Sequence, residues 1–170
     1  MNLIVLTQPP TEILTLIHDE HGVPLYLACL SDGAILRSAF LPTDSTAKVT
    51  AVAETEAQWR KRFPHASLTP APASFRPDIT RGCLIGTDFQ IAVWTQLNQL
   101  QPGTTTTYAA LASACGYPTA HRAVGAAVGA NPLAPFVPCH RVLATSGKLG
   151  GFIGGLELKR QLLQAEGIAA

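Results

Sequence analysis

Residues 68–77 carry Pro70, Pro72 and Pro77 among alanine, serine and threonine, a composition that neither a helix interior nor an inner strand accommodates. Proline removes a backbone donor and fixes φ, so such a stretch reads as a semi-rigid linker. It is expected to divide the 170 residues into two domains, 1–80 and 81–170. The two sides differ in kind. Upstream, residues 3–6, 13–17 and 24–30 are rich in Leu, Ile and Val, and Gly22 and Asp32-Gly33 supply turn signals. Three β-strands are predicted there. A helix is predicted from about 48 to 63, with Val52, Trp59 and Phe63 at helical spacing. Its last turn holds Arg60-Lys61-Arg62, cations that complement the helix dipole.

Downstream the pattern turns helical. Thr87 followed by Gln90 forms a capping box, and Phe89, Val93, Trp94 and Leu97 form the apolar stripe behind it. Thr104 to Thr107 resist helix, and Thr107 can cap a short helix over 108–115 that stops at Gly116. A second helix is predicted over 119–130. Two short helices joined by a Gly-containing turn form a helix-turn-helix, an arrangement that docks on DNA or packs tightly in a core. Ala120, His121, Arg122 and Ala123 open the second helix, in which Arg122 is the long side chain among small ones.

With 47% hydrophobic and 14% charged residues the chain can build a core and is not disordered. The net charge of +1 is uneven. Residues 1–80 hold six Lys/Arg against eight Asp/Glu, and residues 81–170 hold six against three. A basic C-terminal half fits an anionic partner. Cys29, Cys83, Cys115 and Cys139 lack the spacing of a disulfide framework or a zinc site. His18 and His21 are expected in a solvent-facing turn rather than as metal ligands. No secretory leader or membrane-length apolar run is evident, which predicts a reducing, cytoplasmic setting.

The chemistry concentrates in Pro138-Cys139-His140-Arg141-Val142. A thiol beside an imidazole and a permanent cation is the setting in which a cysteine is expected to ionise near neutral pH. His140 is the obvious base by type, but adjacent side chains diverge, so direct contact with Cys139 is awkward and a bridging water would remove that difficulty. A base of this kind needs a third group to orient it. Leu158, Leu162 and Glu166 fall on one i, i+4 line of a helix predicted over 155–167, and Glu166 is the candidate orienter. Arg141 is expected to brace the loop.

This run, the Asn131-Pro132 turn before it and the Arg122 helix together resemble the reactive centre of the O6-alkylguanine-DNA alkyltransferases, densely over residues 81–167. The resemblance implies an α+β fold: a small N-terminal β-sheet and helix domain, RNase H-like and structural, then a mostly helical domain with a winged helix-turn-helix. It implies a monomer without cofactor or metal that binds double-stranded DNA containing O6-alkylguanine. Alkyl transfer to Cys139 would be irreversible, a single-turnover direct reversal of damage. Arg122 would fill the stack vacated by the flipped base, with Ala120, His121 and Ala123 against the minor groove. Tyr108 would bind and protonate the guanine, and Asn131 would knit the docking helix to the reactive loop. Backbone at Cys139 and Val142 would accept from the exocyclic amine, and the Ile153 amide would meet the alkylated oxygen. Three positions depart from the family pattern: His121 stands where alanine is usual, Phe152 where tyrosine is common, and Ile153 where a smaller residue lies. Ile153 is expected to narrow the pocket against bulky adducts. Rival readings are a lesion binder of the same fold, which would lack the cysteine; a papain-like hydrolase, which would need a distant histidine and an oxyanion hole; and a plain helix-turn-helix regulator.

Overall fold

The computed structural model describes residues 1–20 and 22–169; His21, expected in a turn, lies outside the described residues. The chain forms two compact units, Met1–Ile85 and Gly86–Ala170. The architecture is α+β.

The first unit is a mixed six-stranded sheet with one helix. Its strands are β1 (Asn2–Val5), β2 (Glu12–Glu20), β3 (Val23–Cys29), β4 (Ala34–Phe40), β5 (Ser67–Pro70) and β6 (Asp78–Leu84), in the order β1-β6-β4-β3-β2-β5. β2, β3 and β4 form an antiparallel meander, while β1 and β4 flank β6 in parallel and β5 runs parallel to β2. Inside the sheet, β3 is buried on both faces from Leu25 to Cys29, so it reads as an unbroken apolar run rather than an alternating one. Helix α1 (Ser45–Arg62) starts at Asp44, whose carboxylate accepts from the Ala47 N–H at 2.8 Å. It packs Trp59 into a core of Ile13, Tyr26, Ala28, Leu36 and Leu68, with Phe63 just beyond its end. The Trp59 ring stacks on Tyr26 with centroids 5.2 Å apart.

The strand count differs from the expected three, and the reasons are local. β4 carries Arg37 and Ser38, which break its apolar pattern. β5 lies within the stretch read as a linker. It tolerates Pro70 because it is the sheet's edge strand and the proline is its last residue. β6 follows Pro77 and pairs with both β1 and β4, which carries the first unit on to Ile85. His18 lies in β2, not in a turn, with Nε2 3.0 Å from the Glu20 carboxylate.

The second unit comprises α2 (Asp88–Leu97), β7 (Thr106–Thr107), α3 (Tyr108–Ala114), α4 (His121–Gly129), β8 (Val142–Leu143) and α5 (Gly155–Ala165). The capping box forms: Gln90 N–H donates to the Thr87 hydroxyl, and the Gln90 side-chain carbonyl accepts from Thr87 N–H. Val93, Trp94 and Leu97 are buried, and Trp94 Nε1 donates to the Ala127 carbonyl at 2.8 Å, tying α2 to α4. Phe89 is half-buried and meets Tyr117 edge-on. Thr107 caps α3 by accepting from Ala110 N–H at 3.1 Å. α3 and α4 are joined by a short connection that includes Gly116 at φ +81°. Two-residue β7 and β8 pair in parallel, which fixes the start of α3 beside the reactive loop.

Replacing Trp59 by alanine removes the stacked anchor of the first unit. It is expected to lower the unit's stability by about 3–5 kcal/mol, measured by urea denaturation.

Candidate functional site

The reactive loop is built by satisfying buried backbone. Asn131, 5% exposed, follows the C-cap of α4. Its amide donates to the Val137 carbonyl at 2.7 Å, and its carbonyl accepts from Leu133 N–H at 3.0 Å. These bonds pin residues 131–137 and deliver the chain to a single 3-10 turn over Cys139–Arg141. The Asn131 side chain also hydrogen-bonds the Cys139 thiol.

Cys139 is 4% exposed, yet it reaches the floor of a cleft of about 360 Å³. Tyr108, Gly125, Val128, Gly129, Gly151, Phe152 and Ile153 complete the lining. The volume falls within the roughly 300–1,000 Å³ typical of small-molecule sites. Tyr108 is half-buried between two glycines. A Cβ on Gly150 would lie 3.2 Å from its hydroxyl, and one on Gly125 would lie 3.7 Å from its ring. Gly150 also adopts φ +66°, so both backbone and space call for glycine there. Ile153 stands 66% exposed among the lining residues.

His140 is not among the residues that line the cleft. Its Nε2 lies 2.9 Å from Glu166 Oε1. An ionised carboxylate only accepts, so Nε2 carries the proton and Nδ1 keeps the lone pair. Nδ1 is buried and bonds to no protein atom. Burial pushes the His140 pKa down, against the hydrogen bond and charge of Glu166, which favour the imidazolium. A neutral ring with a free basic nitrogen results. Glu166 caps α5 and also accepts Arg141 Nε at 2.9 Å, Arg141 Nη2 at 2.6 Å and Gly103 N–H at 3.2 Å. Burial pushes this carboxyl up, but Arg141, His140 and Gly103 outweigh it and bring the pKa down to about 2. Arg141 further donates to the Leu100 carbonyl at 2.5 Å, bracing the turn that follows α2.

Burial pushes the Cys139 thiol up, opposed by Asn131, the Lys159 charge and the turn's own backbone N–H groups. The expectation of a thiolate near neutral pH therefore fails for the resting protein. Arg141 is committed to Glu166 and does not serve the sulfur. Tyr108 remains a phenol, its pKa raised by burial and by Cys139.

Of the residues singled out, the structure brings Cys139, Tyr108, Phe152 and Ile153 to one cleft and His140 and Glu166 to one hydrogen bond. Val142 is wholly buried, does not line the cleft, and gives its carbonyl to Lys159 Nζ at 2.6 Å. His121, Arg122 and Ala123 are exposed at the start of α4, and Ala120 precedes it as an N-cap without a side-chain bond. His121 and Arg122 border a second hollow that shares Tyr108 and Gly125 with the cleft. The fully buried positions of α5 are Lys159 and Leu163, with Leu158 and Leu162 half-buried beside them. Lys159 escaped the sequence reading, although it precedes Leu163 and Glu166 at i+4 and i+7 on the same face. The glycine packing around Tyr108 carried no sequence signal beyond the small residues themselves.

Two short helices stand beside a cleft with a cysteine floor, and the next residue in the chain is a carboxylate-held histidine. The family model described as 6-O-methylguanine DNA methyltransferase, DNA binding domain, matches residues 88–168. A Methanosarcina acetivorans methylated-DNA–protein-cysteine methyltransferase is 49% identical over 82 residues, which span 48% of this chain and 53% of that protein. The inducible methylated-DNA–protein-cysteine methyltransferase of Bacillus subtilis is 49% identical over 125 residues, covering 64% of this chain and 70% of the relative. Among solved structures, Mycobacterium tuberculosis OGT in complex with DNA superimposes with a TM-score of 0.69 at 32% identity, over 92% of this chain and 93% of that one. The Pyrococcus kodakaraensis O6-methylguanine-DNA methyltransferase gives 0.69 at 26% identity, over 92% and 99%. The chain belongs to the methylated-DNA–protein-cysteine methyltransferase family. Its match spans about half the length of the archaeal relative.

The low pKa of Glu166 implies a stability contribution that is complete above the usual 4.5 and disappears as pH falls to about 2. Glu166→Gln is expected to lose stability at neutral pH and to lack this acid limb, read from denaturation midpoints against pH.

Proposed function

We propose that this protein repairs O6-alkylguanine in double-stranded DNA by taking the alkyl group irreversibly onto Cys139. The observation that carries the reading is the pairing of a cleft-floor cysteine with a buried histidine whose basic Nδ1 is left free by the Glu166 bond. The α4 surface formed by Ala120, His121, Arg122 and Ala123 docks in the minor groove, where its small residues permit close backbone approach. Arg122 enters the stack and offsets the roughly few kcal/mol lost when the damaged nucleotide flips out. The extruded base enters the cleft against Tyr108, Phe152 and Ile153.

A water relays the Cys139 proton to His140 Nδ1, and Glu166 stabilises the imidazolium. The thiolate sulfur attacks the alkyl carbon, a C–S bond forms, and the C–O bond breaks with its electron pair going to the guanine. Tyr108 donates its phenolic proton toward the ring nitrogen on the minor-groove edge, so a neutral guanine departs. The proton held on His140 restores the phenol through solvent. Asn131 keeps the loop and the docking helix in register throughout. The product is a thioether without an activated carbonyl, so water cannot regenerate the thiol and each molecule acts once. No cofactor enters this scheme, and one chain suffices as a monomer.

The first unit is inferred to be an RNase H-like structural domain; the mixed sheet covered by α1 supports this. A winged helix-turn-helix is inferred for the second, with the β7–β8 ladder beside α3 as support. Four free cysteines agree with a reducing cytoplasmic compartment. No helix among the described residues is long and apolar enough to cross a membrane.

Mass spectrometry after incubation with DNA bearing O6-methylguanine is expected to find one added methyl group on Cys139 and none in Cys139→Ser. An unmodified parent protein would sink the reading. For the pocket, Ile153→Ala is expected to speed transfer of a benzyl group about tenfold relative to a methyl group, measured as single-turnover rates.

A further inference from the structure

The second unit holds five Lys and Arg residues, and the structure commits two of them internally. Arg141 is bound to Glu166, and Lys159 is wholly buried with its ammonium on backbone carbonyls. Arg122 and Lys148 are exposed and Arg160 is half-buried, and these three fall on one track. Arg122, on α4, borders the hollow that adjoins the cysteine cleft. Lys148 and Arg160 border a further hollow of about 630 Å³, walled by Leu143, Leu149 and Leu156. Ala144 lines both hollows, so they meet there and the three cations share one continuous surface.

The far end of this track has a fixed backbone. Ala144 N–H donates to the Lys148 carbonyl and Gly147 N–H to the Ala144 carbonyl, each at 2.9 Å, closing a tight turn with Gly147 at φ +77°. Lys159 binds the next carbonyl, that of Leu149, which ties the turn to α5. Arg122 and Lys148 make no ion pair among the described residues. Arg160 meets Glu157 at 2.5 Å, but the Glu157 side chain is 72% exposed. An exposed pair of this kind contributes little, so another anion can take its place. The other acids of the unit line neither hollow: Asp88 stands in the first turn of α2, and Glu166 is bound to Arg141.

A compact anion calls for cations that converge on one point. Here they are spread over two hollows, above an apolar wall. Duplex DNA offers about one negative charge per 1.7 Å of its axis, with sugar faces between the phosphates, and so matches a spread row. We propose that Lys148 and Arg160 form a second DNA contact, which continues the α4 surface past Ala144 along the sugar-phosphate backbone. The inference rests on the docking of α4 on duplex DNA. It assigns the two residues to affinity and register, because phosphate contacts position a protein without reading sequence.

The test measures binding of an undamaged duplex against salt concentration, so that no transfer intervenes. Lys148→Ala and Arg160→Ala are each expected to make the plot of log affinity against log salt shallower by about 0.9, and to weaken binding about fivefold at roughly 0.15 M salt. Lys148→Arg keeps the charge and is expected to keep the parent's slope. Lys61→Ala removes an exposed cation of α1 and is expected to leave the slope unchanged. Glu157→Gln frees Arg160 and is expected to bind more tightly than the parent, an effect that lost stability cannot mimic. Duplexes with single neutral methylphosphonate linkages then locate the contact. The linkage whose neutralisation weakens the parent at this flank is expected to cost Lys148→Ala nothing. The parent's slope in both alanine variants, an equal loss of slope in Lys61→Ala, or Glu157→Gln binding no tighter overturns the inference. A parent that binds no duplex, or takes no methyl group onto Cys139, would instead refute the repair reading, so the two failures are told apart.

Discussion

The Glu166 carboxylate is the constraint on which the reactive site depends. It sits at the end of α5 and binds one side chain from each of the two residues after Cys139, together with the Gly103 N–H. A carboxylate at a helix C-terminus opposes the helix dipole and would ordinarily remain in solvent. Here Arg141 compensates, and through Leu100 it links the carboxylate to the turn that follows α2. Removing one partner from such a cluster costs more than the pair contributes net, because the remaining charges stay buried and unmatched. The imidazole tautomer, the turn geometry and the placement of α5 are therefore one property rather than three.

Sterics fix the other side of the cleft. Tyr108 stands where α3 begins, and its ring fits between Gly125 of α4 and Gly150 of the loop. A Cβ on Gly150 would crowd the phenol at 3.2 Å, whereas one on Gly125 would reach ordinary contact with its ring at 3.7 Å. The small residues of α4 thus serve two surfaces. Gly125 faces Tyr108, while the exposed His121, Arg122 and Ala123 offer the outer face of the same helix. Motion of α4 on a partner would be felt directly at the tyrosine.

Much of the site was legible in the sequence because its signals are local. The capping box at Thr87, the cap at Thr107 and the Cys139-His140 run each span a few residues, and each has a definite local chemistry. Glu166 was legible through helical spacing together with the family resemblance. The sheet was less so. β4 hides behind Arg37 and Ser38, and the prolines around β5 and β6 disguise strands whose existence depends on long-range partners. Lys159 was missed for a different reason. Lysine is rarely buried, so spacing that would have flagged a leucine passed as a solvent-facing position. The ionisation of Cys139 was misjudged because sequence proximity to Arg141 says nothing of where the guanidinium is committed.

That last error bears on how the proposed single-use acceptor would work. A thiolate is the form attacked by oxidants and adventitious electrophiles, whereas a buried thiol is inert. A molecule that cannot regenerate its sulfur loses its whole capacity to one such side reaction. Burial favours the protonated form of Cys139 and the neutral form of His140, whose basic nitrogen stays free. Low reactivity at rest follows from that burial, and Glu166 already stands as the fixed counterion for an imidazolium on His140.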